Sequence, residues 1–99
     1  MNKAELIEAL SVRLGDKRSA AEALDAVLAE IQAAVTKGEK VSITGFGVFE
    51  KRVRAARMAR NPRTGEAIPI KARNVVTFHA SHKLKGVVQG DIPPEEEFE

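Results

Sequence analysis

Arg52, Arg54, Arg57, Arg60 and Arg63 follow one another at two- and three-residue spacing, and Lys71 and Arg73 come back after a turn. Guanidinium groups hold planar anions through forked hydrogen bonds and keep their charge at any physiological pH. Between positions 51 and 73 there are eight basic residues, Lys51 completing the set, against the single acid Glu66, so this stretch carries +7. The whole chain carries +2, which leaves −5 for everything else. A split of this kind points to a polyanion held by one part of the chain, whereas uniform basicity would bear on solubility alone. The bland alternative is a solvated charged face. Five arginines with no interleaved acid would repel one another there unless something anionic paired with them.

These cations need an element to carry them. Residues 45–65 read GFGVFEKRVRAARMARNPRTG. The stretch begins as a half-buried strand with Phe46, Val48 and Phe49 and becomes the arginine run. It closes on Asn61-Pro62-Arg63-Thr64-Gly65, where proline pre-sets a turn and glycine lets the chain reverse. A second extended stretch returns over 67–78. In the outgoing strand Glu50, Arg52 and Arg54 share one parity, with Lys51, Val53 and Ala55 on the other. Neither face offers a continuous apolar row, so the shaft is expected to project into solvent or wrap a ligand. A free two-stranded ribbon is marginal in water and needs a base.

The base is expected from the ends of the chain. Asn2 with Glu5 three residues on starts a helix over 3–14, with Leu6, Ile7, Leu10 and Leu14 on one face and Gly15 as its stop. After a short turn over 15–18, Ser19-Ala20-Ala21-Glu22 reads as a capping box. It is followed by Leu24, Val27, Leu28, Ile31, Ala34 and Val35 at helical spacing and by Gly38 as a stop. About 18 residues at ~1.5 Å each span roughly 27 Å, more than the first helix can cover. The surplus stripe calls for a second copy of the chain. A short strand over 41–44 leads to Gly45-Phe46-Gly47, a tight turn or bulge that tucks Phe46 inward; a lone GxG is weak evidence for a phosphate cradle. Val75-Val76-Thr77-Phe78 ends the return strand under the helices, and Ser81 caps a last helix over 81–89 that Gly90 ends.

The reading is therefore α+β: a dimer with a helical base and a three-stranded antiparallel sheet extended into a long ribbon. Residues 1–90 form one domain, with a helical dimerisation hairpin over 1–40, sheet and arm over 41–78 with the arm at 51–73, and the last helix. Leu24, Leu28, Ile31, Phe46, Phe49 and Phe78 are the expected dimer core. The tail over 91–99, DIPPEEEFE, is acidic and proline-bearing and is expected to be disordered, either as an aid to solubility or as a weak mimic of phosphate.

Other function classes recede. With no cysteine and two histidines, neither a disulfide framework nor a metal site is expected. The absence of cysteine fits a reducing cytoplasm. No signal-peptide run opens the chain, and no apolar stretch of about 18 residues suggests a membrane span. The acids are scattered over helices and tail, with no nucleophile, base and orienter among them, so no catalytic residues, enzyme activity or cofactor are expected.

The pattern G-F-x-x-F followed by R-x-x-R-x-A-x-N-P-x-T-G, here residues 45–65, resembles the signature of the bacterial HU and integration host factor proteins. The opening MNKAELIEAL and the LK-bearing last helix extend the likeness over about residues 1–90. The resemblance implies an intertwined homodimer whose two β-arms embrace double-stranded DNA in the cytoplasm, as part of the nucleoid. Carried over by position, Arg52, Arg54, Arg57 and Arg60 would line the minor groove, with Asn61 and Arg63 near the arm tip and Lys71 and Arg73 on the returning strand. Lys3, Lys83 and Lys85 would meet flanking phosphates, and Pro62 would be the wedge that unstacks a base step. Such wedges kink the duplex, so bent or nicked DNA is the expected preference. HU-like binding without sequence preference is expected first, a subunit of a sequence-specific integration-host-factor-like heterodimer second, and an RNA-binding basic hairpin third.

Two positions depart from the family. Ala80-Ser81 stands where proline-glycine is common, and His79 and His82 stand where lysines are common. Histidine changes charge in the physiological range. If these two meet phosphates, binding tightens at low pH and replacing both with alanine abolishes the change; otherwise they are surface residues.

Overall fold

A computed structural model describes residues 1–98 as three helices and five strands. Glu99, the last residue of the expected tail, lies outside the described residues. The chain divides into two units, one spanning Met1–Ala34 and the other starting at Val35.

The first unit is a helical hairpin. Helix α1 runs over Lys3–Leu14; the Asn2 side chain accepts the Glu5 N–H at 2.8 Å, and Gly15 ends the helix at φ 95°. Helix α2 runs over Lys17–Thr36, three residues longer at its start than the capping-box reading allows. Asp16, not Ser19, is the cap: its carboxylate accepts the Ser19 N–H at 2.7 Å and the Ser19 hydroxyl at 2.8 Å. An aspartate binds an orphan N–H at least as well as a serine does, and one residue after the αL glycine it starts the helix at once. Glu22 turns instead to Arg18, one helical turn back, at 3.2 Å. Lys3 with Asp25 at 2.7 Å and Lys17 with Glu8 at 3.4 Å tie the two helices together.

The second unit begins with the last turn of α2, where Gly38 at φ 86° donates to the Val35 carbonyl at 2.9 Å. Strand β1 (Val41–Ile43) turns into β2 (Gly47–Arg54) through Thr44, Gly45 and Phe46. Phe46 N–H bonds the Ile43 carbonyl at 2.9 Å, and Gly45 at φ 80° supplies the positive φ that a type II turn needs at its third residue. Thr44, expected at the end of the strand, belongs to that turn. Gly47 is buried because Phe78 lies on it: a Cβ there would stand 2.5 Å from the Phe78 ring and 2.7 Å from the His79 carbonyl oxygen.

The ribbon is antiparallel as expected, but it divides into two sheets. One has the order β1-β2-β5, with β5 at Arg73–Ala80; the other pairs β3 (Arg57–Arg60) with β4 (Ala67–Ile70). The return stretch expected as one strand over 67–78 is thus interrupted at Lys71 and Ala72, opposite Ala56 and Ala55. Alanine and lysine are poor strand formers, which accounts for the break. Gly47 pairs with Ala80 and Arg54 with Arg73, and beyond the break Arg57 pairs with Ile70 and Arg60 with Ala67. Both sides skip two residues, so the register passes through unchanged.

Helix α3 covers His82–Gln89, with the Ser81 hydroxyl accepting the Leu84 N–H at 2.9 Å and Gly90 at φ 91° closing it. The described tail residues 91–98 form no helix or strand and make contacts on this unit. Among the described residues, no helix is long and apolar enough to cross a membrane.

The apolar residues are poorly covered. Ala20 and Val35 are the buried hydrophobic residues among those described, while Val27 (53%), Leu28 (46%) and Phe78 (42%) stay exposed. Leu24, Ile31 and Phe49 are half-buried.

Candidate nucleic-acid interface

The arm tip is built by its own side chains. Asn61 and Glu66 close the ribbon through the Asn61 N–H on the Glu66 carbonyl at 2.9 Å, and Gly65 N–H returns to the Asn61 carbonyl at 2.8 Å. The Asn61 side chain accepts the Arg63 N–H at 2.8 Å, a local bond that holds Pro62 at the outermost bend. Gly65 has φ 74°, where a side chain would be strained. Arg60 Nη1 bonds the Gly65 carbonyl at 3.2 Å. Pro62 is exposed and donates no hydrogen bond, so nothing in the turn restrains its ring from meeting a flat apolar surface.

Register decides which cations share a face. Residues directly opposite in an antiparallel pair lie on the same side. In β2–β5, Arg52 faces Val75 and Arg54 faces Arg73, so Arg52, Arg54 and Arg73 lie together on the side of Glu50. The other side carries Phe49 with Phe78, then Lys51 and Val53. In β3–β4 the faces divide: Arg57 shares its side with Ile70, Ala59 and Ile68, and Arg60 shares the opposite side with Met58, Pro69 and Ala67. The arm therefore presents cations on both faces beyond the break, with apolar residues between them. From Arg54 to the tip it reaches about 23 Å at ~3.3 Å per residue.

The arginines among these cations are exposed, as are Lys71, Lys83, Lys85 and Lys3; Lys51 and Asn61 are half-buried. The side chains of Arg54, Arg57, Arg63, Lys71 and Arg73 make no ion pair among the described residues. Lys3 stands in the helical hairpin, in the other unit, paired with Asp25.

One charged residue stands out that the sequence reading left as a matter of parity. Glu50, with 22% of its side chain exposed, gathers Arg52 at 3.6 Å, His79 at 3.8 Å and Lys40 at 3.9 Å. Thr77, directly across, donates its hydroxyl to the Glu50 carbonyl at 3.2 Å. Arg52 is thus the arm arginine paired with an acid, and His79, though exposed, has a carboxylate beside it. Lys40 had no signal in the strand pattern, because it is brought in by the β1–β2 hairpin.

The model of the family described as bacterial DNA-binding protein matches residues 1–89. An integration host factor subunit alpha from Polaromonas sp. is 52% identical over 92 residues, which is 92% of this chain and 83% of that one. The DNA-binding protein HU 2 of Streptomyces coelicolor is 50% identical over 90 residues, 91% of this chain; the chain spans 41% of that relative's length. Among solved structures, the HU–DNA cocrystal structure from Anabaena superposes with a TM-score of 0.80 at 41% identity, covering 95% of this chain and 100% of that one.

Proposed function

Because the chain belongs to the bacterial DNA-binding protein family of HU and integration host factor, an architectural and non-enzymatic family, we propose that it works as a histone-like protein that bends, wraps and compacts duplex DNA without strong sequence preference. The observation that carries this reading is the arm: a register-locked ribbon with five cations free of internal ion pairs and an exposed proline at its tip. The minor groove is about 6 Å wide and displays a degenerate set of acceptors, so a ribbon placed there reads width and deformability more than sequence. Arg54 and Arg73, side by side, suit a run of phosphates or a narrow groove, and Arg57 and Arg60 on opposite faces suit the two walls. Pro62 is the wedge, and unstacking a step costs a few kcal/mol, which already bent or nicked DNA does not require.

The protein acts as a homodimer in this reading. The exposed Leu28 of the helical hairpin and Phe78 of the second unit, with the half-buried Leu24, Ile31 and Phe49, are among the residues the interface would cover. The duplex would lie in the cytoplasmic nucleoid, with Lys3, Lys83 and Lys85 on phosphates beside the arms.

A second reading, a subunit of a sequence-specific heterodimer, is favoured by the 52% identity to an integration host factor alpha subunit. Purified chain alone should sediment as a dimer and bind several unrelated duplexes of about 30 base pairs with affinities within about threefold. One sequence bound far more tightly, or binding only after a second chain is added, would replace the first reading with the second. Tighter binding to duplex RNA would displace both.

A further inference from the structure

The residues after Gly90 contain five acids, Asp91, Glu95, Glu96, Glu97 and Glu99, and no base. Their −5 stands against the arm's +7 and leaves the remainder of the chain neutral. They do not simply trail away. Asp91 and Ile92 donate their N–H groups to the Gly86 carbonyl at 2.9 and 3.3 Å. Ile92 rests on Gly86, where a Cβ would come within 2.5 Å of its Cδ1. Pro93 and Pro94 then stiffen the next step, since each fixes its own φ. Glu95 is ion-paired with Lys83, and its side chain is 28% exposed. Phe98 sets its ring edge-on to Phe46 at 6.4 Å and 87°. The pair seats against Gly45, where a Cβ would lie 3.5 Å from both Glu95 Oε2 and Phe98 Cδ1.

We propose that the tail is an intramolecular competitor of DNA, in which the Glu95 carboxylate occupies on Lys83 the place of a duplex phosphate and Phe98 anchors the tail on Phe46. This rests on the reading that Lys83 faces DNA phosphates. A solubilising tail needs charge alone. A phenylalanine set among acids and placed edge-on to an aromatic side chain of the body serves placement. Carboxylate and phosphate oxygens are alike as anionic acceptors for an ammonium group. An exposed ion pair is weak, so a long polyanion can displace it, while tethering keeps the tail at millimolar effective concentration when DNA is absent.

The test compares full-length protein with five others: Glu95→Gln, Phe98→Ala, Lys83→Ala with and without Glu95→Gln, and a chain ending at Pro93, which keeps the Ile92 contact on α3. Binding to a labelled 30-base-pair duplex is read across a salt series. Glu95→Gln, Phe98→Ala and the shortened chain should each bind about three- to tenfold more tightly at low salt, and the Glu95→Gln gain should vanish when Lys83 is alanine. Without DNA, the Gly45 amide resonance should shift on Phe98→Ala. If the shortened chain gains while Phe98→Ala does not, the tail repels DNA diffusely and docking is refuted. Equal affinities throughout refute the proposal while leaving the DNA-binding reading intact. Failure of every form, full-length included, to bind DNA refutes that reading and the competitor with it.

Discussion

Arg54 and Arg73 stand directly opposite across the β2–β5 pair, both exposed and without an acid in ion-pair range among the described residues. Like charges in directly opposed positions destabilise a strand pair. A bound polyanion would relieve such a pair, and that makes Arg54→Ala an informative change. In a two-armed dimer the substitution removes two phosphate contacts, and each contributes about 0.9 to the slope of log K against log salt. The slope should therefore become shallower by about 1.8. At ~0.1 M salt, tenfold below the 1 M reference, this corresponds to about 60-fold weaker binding, or ~2.5 kcal/mol. Without DNA the variant should unfold no earlier than the parent, since a repulsion has gone. Fluorescence anisotropy of a labelled duplex over a salt series gives the slope, and thermal melts give the stability. Arg18→Ala, in the helical hairpin and paired with Glu22, is the control and should leave the slope unchanged. An Arg54→Ala slope equal to the parent's would refute the assignment of this face to phosphates.

Four further outcomes are expected. Pro62→Ala should keep affinity for prebent DNA within about threefold while reducing the bend read by end-to-end energy transfer, because the wedge acts on stacking and not on charge. Gly47→Ala should cost about 1–3 kcal/mol in urea unfolding, since the added methyl meets the Phe78 ring and the immovable His79 carbonyl. Ser81→Ala should cost about 1 kcal/mol by removing the cap of α3. Asp16 is held below the ordinary carboxylate range, first by the Ser19 backbone N–H and then by the Ser19 hydroxyl. A depressed folded-state pKa stabilises above the unfolded value, and that contribution fades as pH falls through the folded one. Melts from about pH 6 to pH 3 should lose stability less steeply in Asp16→Asn than in the parent.

Much of the fold was legible because its signals were local. Asn2 with Glu5, Gly15, Ser81 and Gly90 are caps, and each needs information from within four residues. Helix α2 shows where this fails: Ser19 and Glu22 fit the capping-box spacing, but Asp16 stood nearer the glycine and took the role. The arginines were visible as a run, yet which of them share a face depends on register. Register is set by two turns some twenty residues apart and by a break whose two sides match in length. Glu50 drawing in Lys40 and His79 depends on three strands meeting, which no window along the chain contains. The tail's contacts through Ile92 and Phe98 were not legible, because charge and proline dominate its composition and two apolar residues are too few to register as a pattern.

The central claim is that the arms hold DNA by bending it. The direct measurement is the affinity of the purified protein for an intact duplex and for the same sequence carrying one nick, each across a salt series. Tighter binding to the nicked form, at a steep and similar salt slope and regardless of sequence, is the expected result, because the nick supplies the kink that Pro62 otherwise has to force. Equal affinity for both forms would contradict the account, leaving a basic arm that touches DNA without bending it.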